Sequence, residues 1–205
     1  IGPGVAGGNN RQTLTDEDAE GRRVFQLWCE AEGMTMGLDK LGNMFAHREG
    51  TDPTLPPVMV GSHLDTQPTG GKYDGVLGVL AGLEIIRTLN DAGIKTKHPI
   101  EVVNWTNEEG ARFSPPMMSS SVFAGMYTTE WVYDREDADG KTVGGELARI
   151  GWLGYEEVGA RKMAAFFELH IEQGPILEDE NVDVGVVTHG QGLNWLQVTL
   201  TGKSS

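Results

Sequence analysis

The sequence predicts an α/β sandwich with a largely parallel central sheet, and three observations carry that expectation. Short apolar runs rich in Val, Ile and Phe alternate along the chain with helical apolar stripes, as crossover-connected strands require. Glycine is frequent, 29 of 205 residues, without the every-third-residue period of collagen, so the chain makes many tight turns. Apolar residues make up 39% against 22% charged, which is enough for a real core in one domain or one and a half and too apolar for a disordered chain.

Residues 1–10 read as a flexible terminus. Gly2-Pro3-Gly4-Val5-Ala6-Gly7 formally spells a dinucleotide-binding fingerprint, but no strand precedes it and no βαβ unit surrounds it. Thr15, followed by Asp16, Glu17 and Asp18, predicts a helix start. Val24, Leu27, Trp28 and Ala31 are expected as its buried stripe, and Gly33 ends it. Two short strands follow, around 34–38 and 42–48. Val58-Met59-Val60-Gly61 is a strand ending in Ser62-His63. After a glycine-rich loop, 75–91 reads as a helix with Val76, Val79, Leu80, Leu83, Ile86 and Leu89 inward. Ile100 to Trp105 is a buried strand that leads into Asn107-Glu108-Glu109, and 114–160 is irregular or forms short helices. Ala165-Phe166-Phe167-Glu168-Leu169 is a strand ending in His170, and 182–188 and 193–201 are expected as two more. The chain starts at Ile1 rather than Met and stops at Ser205 inside the last of these, which reads as a fragment.

Charge and cysteine usage narrow the function classes. With 16 Lys+Arg against 30 Asp+Glu, the net charge is −14, and no basic face for nucleic acid or anionic lipid is visible. No run reaches the roughly 18 apolar residues of a membrane-spanning helix; the best, Val76 to Ile86, contains Glu84. The first twenty residues lack a secretory pattern. The single cysteine, Cys29, cannot form an internal disulfide and reads as a core residue, so a cytoplasmic location is expected.

Polar residues stand at the carboxyl ends of three apolar strands: His63 and Asp65, Glu108 and Glu109, His170 and Glu172. Ligands of open α/β sheets bind just beyond those ends. The loop after the first strand adds Asp74. Imidazoles and carboxylates converging there suit zinc, cobalt, manganese or nickel, and the lack of Cys ligands argues against a closed structural zinc site. Gly202-Lys203-Ser204 lacks the earlier glycine of a phosphate loop, and no serine-hydrolase elbow occurs. Asn104-Trp105-Thr106 matches a glycosylation sequon but lies inside an apolar strand, and His47, His98 and His189 read as structural.

Four segments carry a resemblance: Gly61-Ser-His-Leu-Asp-Thr66, Gly71-Lys-Tyr-Asp-Gly75, Asn104-Trp-Thr-Asn-Glu-Glu-Gly-Ala-Arg-Phe113 and His170-Ile-Glu-Gln-Gly-Pro175. In order and spacing they resemble the two-metal amidohydrolases of the aminoacylase and carboxypeptidase clan, within it the branch of N-carbamoyl-L-amino acid hydrolases, β-ureidopropionases and allantoate amidohydrolases. The Gln67 to Gly71 loop and the Pro175 to Asn181 run lean toward the first two.

The resemblance implies a three-layer, zinc-exopeptidase-like sandwich: 11–192 as the N-terminal part of the metal-binding domain, and 193–205 as the first strand of an inserted α+β dimerisation domain. It implies two divalent ions, zinc in first place with Mn, Co or Ni as alternatives. His63 and His170 would bind one, Asp74 would bridge to the second, and Glu109 would bind that second ion. Asp65 would orient His63, Glu108 would act as general base on a metal-bridging water, and Gln173 would face the substrate. The implied reaction cleaves the carbamoyl C–N bond of N-carbamoyl-β-alanine or N-carbamoyl-L-amino acids, giving amino acid, CO2 and NH3. Allantoate, N-acyl amino acid or peptide cleavage is the alternative, as is an inactive fragment serving only as a binding module. Family members are about twice this length and form homodimers, and a distant C-terminal His completes their second metal. The sheet of the present chain is therefore expected to leave a face or edge uncovered.

Overall fold

The computed structural model describes residues 1–190, 192, 196 and 198–202. They divide into two compact units, Ile1–Ile171 and Glu172–Ser205.

The first unit is built on a five-stranded sheet. Its strands are β1 (Thr35–Leu38), β2 (Met44–Arg48), β3 (Val58–His63), β4 (Ile100–Trp105) and β5 (Ala165–Phe167), in the order β1-β2-β4-β3-β5. β3 pairs parallel with both β4 and β5, while β2 pairs antiparallel with β1 and β4. Four strands thus point one way and only β2 is reversed, as the sequence led us to expect. The short β1–β2 connection at Gly42 (φ +73°) closes a hairpin, whereas β3 reaches its parallel neighbour β4 only through the helix α2 (Val76–Asp91).

Alternation along the strands divides the core. On one face Met44, Ala46, Val60 and Val102 pack against α1 (Asp16–Ala31) and α2 through Phe25, Cys29, Val79, Leu83 and Ile86. On the other, Phe45, Met59, Val103 and Trp105 meet Phe123 of α3 (Met118–Phe123). Helices therefore lie on both faces. A third cluster, including Leu14, Phe113, Met118, Val132 and Leu147, joins α3 to α4 (Thr129–Tyr133) and α5 (Val143–Arg149).

Helix α1 starts as expected, with the Thr15 hydroxyl accepting from the Asp18 amide at 3.3 Å. Its buried face is not the expected one. Leu27 is 51% and Trp28 44% exposed, and the inward residues are Asp18, Arg22, Phe25 and Cys29. Arg22 and Asp18 form a fully buried ion pair, and Arg22 also donates to the Gly42 carbonyl at 2.6 Å and the Thr106 hydroxyl at 3.1 Å. An apolar-stripe reading passes over a face built around a paired charge. In α2 three of the six expected residues, Val79, Leu83 and Ile86, are buried, Val76 and Leu89 are half-buried, and Leu80 stays exposed. Gly78 and Gly82 allow this helix to lie close on the sheet: a Cβ at Gly82 would sit 2.7 Å from Val102 Cγ1.

The segment 1–10 is held rather than loose. Asn9 and Gly70 exchange main-chain hydrogen bonds at 2.9 Å, and Arg11 donates to the Leu64 carbonyl at 2.7 Å. The strand expected over 165–169 is shorter, ending at Phe167. The second unit carries one helical turn, α6 (Ile176–Asp179). The strand expected over 182–188 does not form, for an extended apolar segment needs a partner strand. Of the strand expected over 193–201, residues 193–195 and 197 lie outside the described residues, and the described ones are not in a ladder. The domain boundary expected at 192/193 falls inside this second unit.

Candidate metal centre and catalytic site

The carboxyl ends of β3 and β4 lie side by side, with His63 in register with Trp105. The His63 side chain is 1% exposed. Its Nδ1 lies 2.8 Å from the Asp65 carbonyl oxygen, so Nδ1 carries the proton and Nε2 presents its lone pair. That Nε2 is buried with no hydrogen-bond partner. It stands 3.4 Å from Glu108 Oε2 and 4.0 Å from Asp74 Oδ1. His170 repeats the arrangement: its Nδ1 is 2.7 Å from the Ile171 carbonyl, and its Nε2 is 3.3 Å from the same Asp74 oxygen. Ligand atoms of His63, Asp74 and His170 all lie within 4.8 Å of one another, a group that could hold a metal ion. A buried imidazole nitrogen without a hydrogen bond, facing the Asp74 and Glu108 carboxylates and a second imidazole, fits a cation.

Gly75 makes this approach possible. Its φ is +66°, and a Cβ there would fall 2.4 Å from the His63 ring. Only glycine lets the Asp74 loop close over that ring.

Asp65 meets the Nδ1 of His63 with its main chain. Its carboxylate is 3.7 Å from His63 Nδ1, and the ring is oriented by the main-chain carbonyl instead. The two carboxylate oxygens accept the Glu108 and Glu109 amides, each at 3.2 Å. Asn107 (φ +56°) and Gly110 (φ +65°) bracket the two glutamates, and this turn sends the adjacent side chains to different partners. Glu108 reaches His63. Glu109 Oε2 accepts from Gln67 Nε2 at 2.6 Å, while its Oε1 is buried without a hydrogen-bond partner. Glu109 is thus at hand but is not one of the three-residue group. Gln173 (φ +57°) lies in the second unit, ahead of α6.

Burial dominates the electrostatics. It pushes the Asp65 carboxyl up to about 7 against the pull of His63, and raises Glu108 too, with Glu109 and Glu168 adding repulsion. Burial alone would lower His63, but the Asp65 and Glu108 charges outweigh it and the imidazole ends above its ordinary value. Crowded acid groups at a desolvated imidazole are what a bound dication would relieve.

Several residues here are not evident from the sequence. Gln67 holds Glu109, Asn104 Oδ1 accepts the Leu64 amide at 2.8 Å, and the Ser62 hydroxyl donates to Glu168 Oε1 at 2.5 Å. Asn104 is fully buried, consistent with setting its sequon aside. His47 and His98 bond Glu101 and the Pro56 carbonyl, well away from this cluster in sequence and partners.

Comparison with known proteins gives the family. The model of peptidase family M20/M25/M40 matches residues 59–204. An N-carbamoyl-L-amino-acid amidohydrolase of Rhizobium meliloti is 71% identical over 205 residues, which is 100% of this chain and 49% of that protein. One from Geobacillus stearothermophilus is 40% identical over 207 residues, covering 98% of this chain and 50% of its own length. A crystal structure of a hydantoinase/carbamoylase family amidase from Burkholderia multivorans superposes with a TM-score of 0.87 at 55% identity, over 88% of this chain and 44% of that one. The chain spans about half the length of the curated relatives it matches. By the family match and by the strand-end cluster that falls within it, the chain belongs to peptidase family M20/M25/M40.

Proposed function

We propose that the protein carrying this chain is a metal-dependent amidohydrolase that cleaves the carbamoyl C–N bond of N-carbamoyl-L-amino acids. The observation that carries this reading is the joining of His63, Asp74 and His170 with a glutamate, Glu108, whose Oε2 lies 3.4 Å from His63. The similarity to enzymes named N-carbamoyl-L-amino-acid amidohydrolases supports the substrate class. His63, Asp74 and His170 would hold one divalent ion, zinc before Mn, Co or Ni, and Asp74 with Glu109 would contribute to a second. When bound, such an ion lowers the pKa of water and polarises a carbonyl oxygen.

The chain's own residues supply the proton chemistry. A urea-type carbonyl is a weak electrophile, so the attacking water must lose its proton as the C–O bond forms. Glu108 Oε2 accepts that proton, its basicity raised by burial. As the C–N bond breaks, the same carboxyl returns the proton to the leaving amine nitrogen. One water is consumed, and the carbamic acid released breaks down to CO2 and NH3. Asp65 keeps Glu108 in place through its amide, and the carbonyl of Asp65 fixes the His63 tautomer. Gln173 would contact the substrate, and the whole protein would act as a cytoplasmic homodimer on small molecules.

The test measures turnover by the protein that carries this chain, as ammonia release from N-carbamoyl-L-amino acids, N-carbamoyl-β-alanine and allantoate, and as release of the free amino acid from N-acyl amino acids and dipeptides. Turnover should be greatest with the first. Greatest turnover on a peptide or N-acyl substrate would replace this reading. Glu108→Gln should retain bound metal and lose about 10²–10⁴-fold in kcat, and substantial remaining turnover would remove Glu108 as the base.

A further inference from the structure

The parallel ladder between β3 and β5 covers only Val58–Val60 against Ala165–Phe167, with Val60 opposite Phe167. Extended by three residues, the same register sets His63 opposite His170. Yet no ladder pair is formed over those three residues, and the two imidazoles belong to strand ends that the main chain does not join. The tie that spans this gap is the hydrogen bond from Ser62 Oγ to Glu168 Oε1, at 2.5 Å and between residues 106 apart in sequence. Ser62 is 1% exposed while Glu168 stands exposed, so the bond is half-buried, with its donor end shielded from water. Helix α2 seats on the same spot: a Cβ at Gly78 would lie 2.7 Å from Ser62 Cβ and 2.8 Å from the Leu169 carbonyl.

We propose that Ser62 and Glu168 are positioning residues, whose hydrogen bond replaces the missing ladder and sets His170 at ligand distance from His63 and Asp74. This rests on the reading of those three residues as a metal group. Neither Ser62 nor Glu168 belongs to that group. Their effect is on the separation of the two strand ends, and through it on how much of the ligand geometry is preformed. With the tie cut, the His170 end must be ordered at the moment the ion binds, and affinity falls by that cost.

The experiment is zinc affinity, measured by competition with a chromophoric chelator on the full protein stripped of metal. Ser62→Ala and Glu168→Ala should each weaken zinc binding about 10–100-fold, with the melting temperature of the metal-free protein unchanged. Glu168→Gln keeps an oxygen acceptor for the Ser62 hydroxyl and should restore affinity to within about threefold of wild type, since a neutral bond is weaker than a charged one. The double variant Ser62→Ala/Glu168→Ala should be no worse than the poorer single one, because both remove one bond. Wild-type affinity in both alanine variants overturns the proposal, as does a Glu168→Gln variant as weak as Glu168→Ala, which would make charge rather than the bond responsible. A wild-type protein that binds no zinc overturns the metal reading itself and this inference with it.

Discussion

Single residues decide whether the ligand atoms can meet, and Gly75 is the most constrained of them. Alanine there meets the His63 ring at 2.4 Å with φ at +66°, so both the backbone and the contact resist it. Gly75→Ala should cost about 1–3 kcal/mol of stability and displace Asp74 from His63, seen as a lower melting temperature together with weaker zinc binding. Unchanged values for both would show that the loop has room the structure does not display. His63 and His170 stood out in the sequence because a polar residue following an apolar strand lies at a fixed geometric place, and Asp74 entered only with the loop after the first strand. The bonding of the Asp65 carboxylate was not legible. Its carboxylate serves two main-chain amides, and sequence offers no sign of which backbone groups a side chain will find.

At the scale of elements, legibility followed the source of each element's burial. α2 and β4 are buried by apolar side chains, and their positions were read to within a residue or two. α1 was placed correctly but turned to the wrong face, since half of its inward surface is the Asp18–Arg22 pair. The β2–β4 pairing carries a titratable tie of the same kind. His47 is in register with Glu101, its Nδ1 3.0 Å from Glu101 Oε1, and Arg161 shares that carboxylate. The hydrogen bond to Glu101 raises the His47 pKa above its ordinary 6.5, the opposing effects of burial and Arg161 notwithstanding. The folded state therefore binds the proton more tightly than the unfolded one, and the stabilisation is complete below about pH 6.5 and lost as pH rises through the folded value. Melting temperature should fall over that interval, and His47→Gln, which does not titrate, should flatten the fall. Identical slopes in the two proteins would remove His47 as its source. Packing at the α2–sheet contact gives a second expectation. Gly78→Ala gains about 1 kcal/mol in helix propensity, yet it drives a methyl against the Leu169 carbonyl and Ser62 Cβ, so a net loss of about 1–3 kcal/mol is expected in denaturant melts. A stabilised variant would mean that α2 can move off β3 freely.

Over the molecule as a whole, the two edges of the sheet are protected unequally. β1 is screened by a parallel bridge from Asp39 to Glu156, and the Lys40 amide donates to the Glu156 carbonyl at 2.9 Å. β5 is three residues long, pairs with β3 on one side, and among the described residues nothing pairs with its other side. Phe167 is 62% and Leu169 44% exposed at that end. The sequence reading anticipated an uncovered face or edge from the resemblance to longer proteins, and could not say which of the two or which strand bears it, because strand order is a long-range property. An open edge bearing exposed apolar side chains is a template for pairing with another copy. The net charge of −14 opposes association in general but is weak against it locally, since main-chain pairing acts at contact and distant charges are screened within about 10 Å. The 205-residue chain on its own should therefore self-associate at about 100 µM, within the range where exposed edges aggregate, as read by sedimentation velocity. Phe167→Lys places a charge on the edge without touching the metal group and should shift the chain toward monomer, with zinc binding unaltered. A chain that sediments as monomer with or without the substitution would show that this edge is already closed in solution.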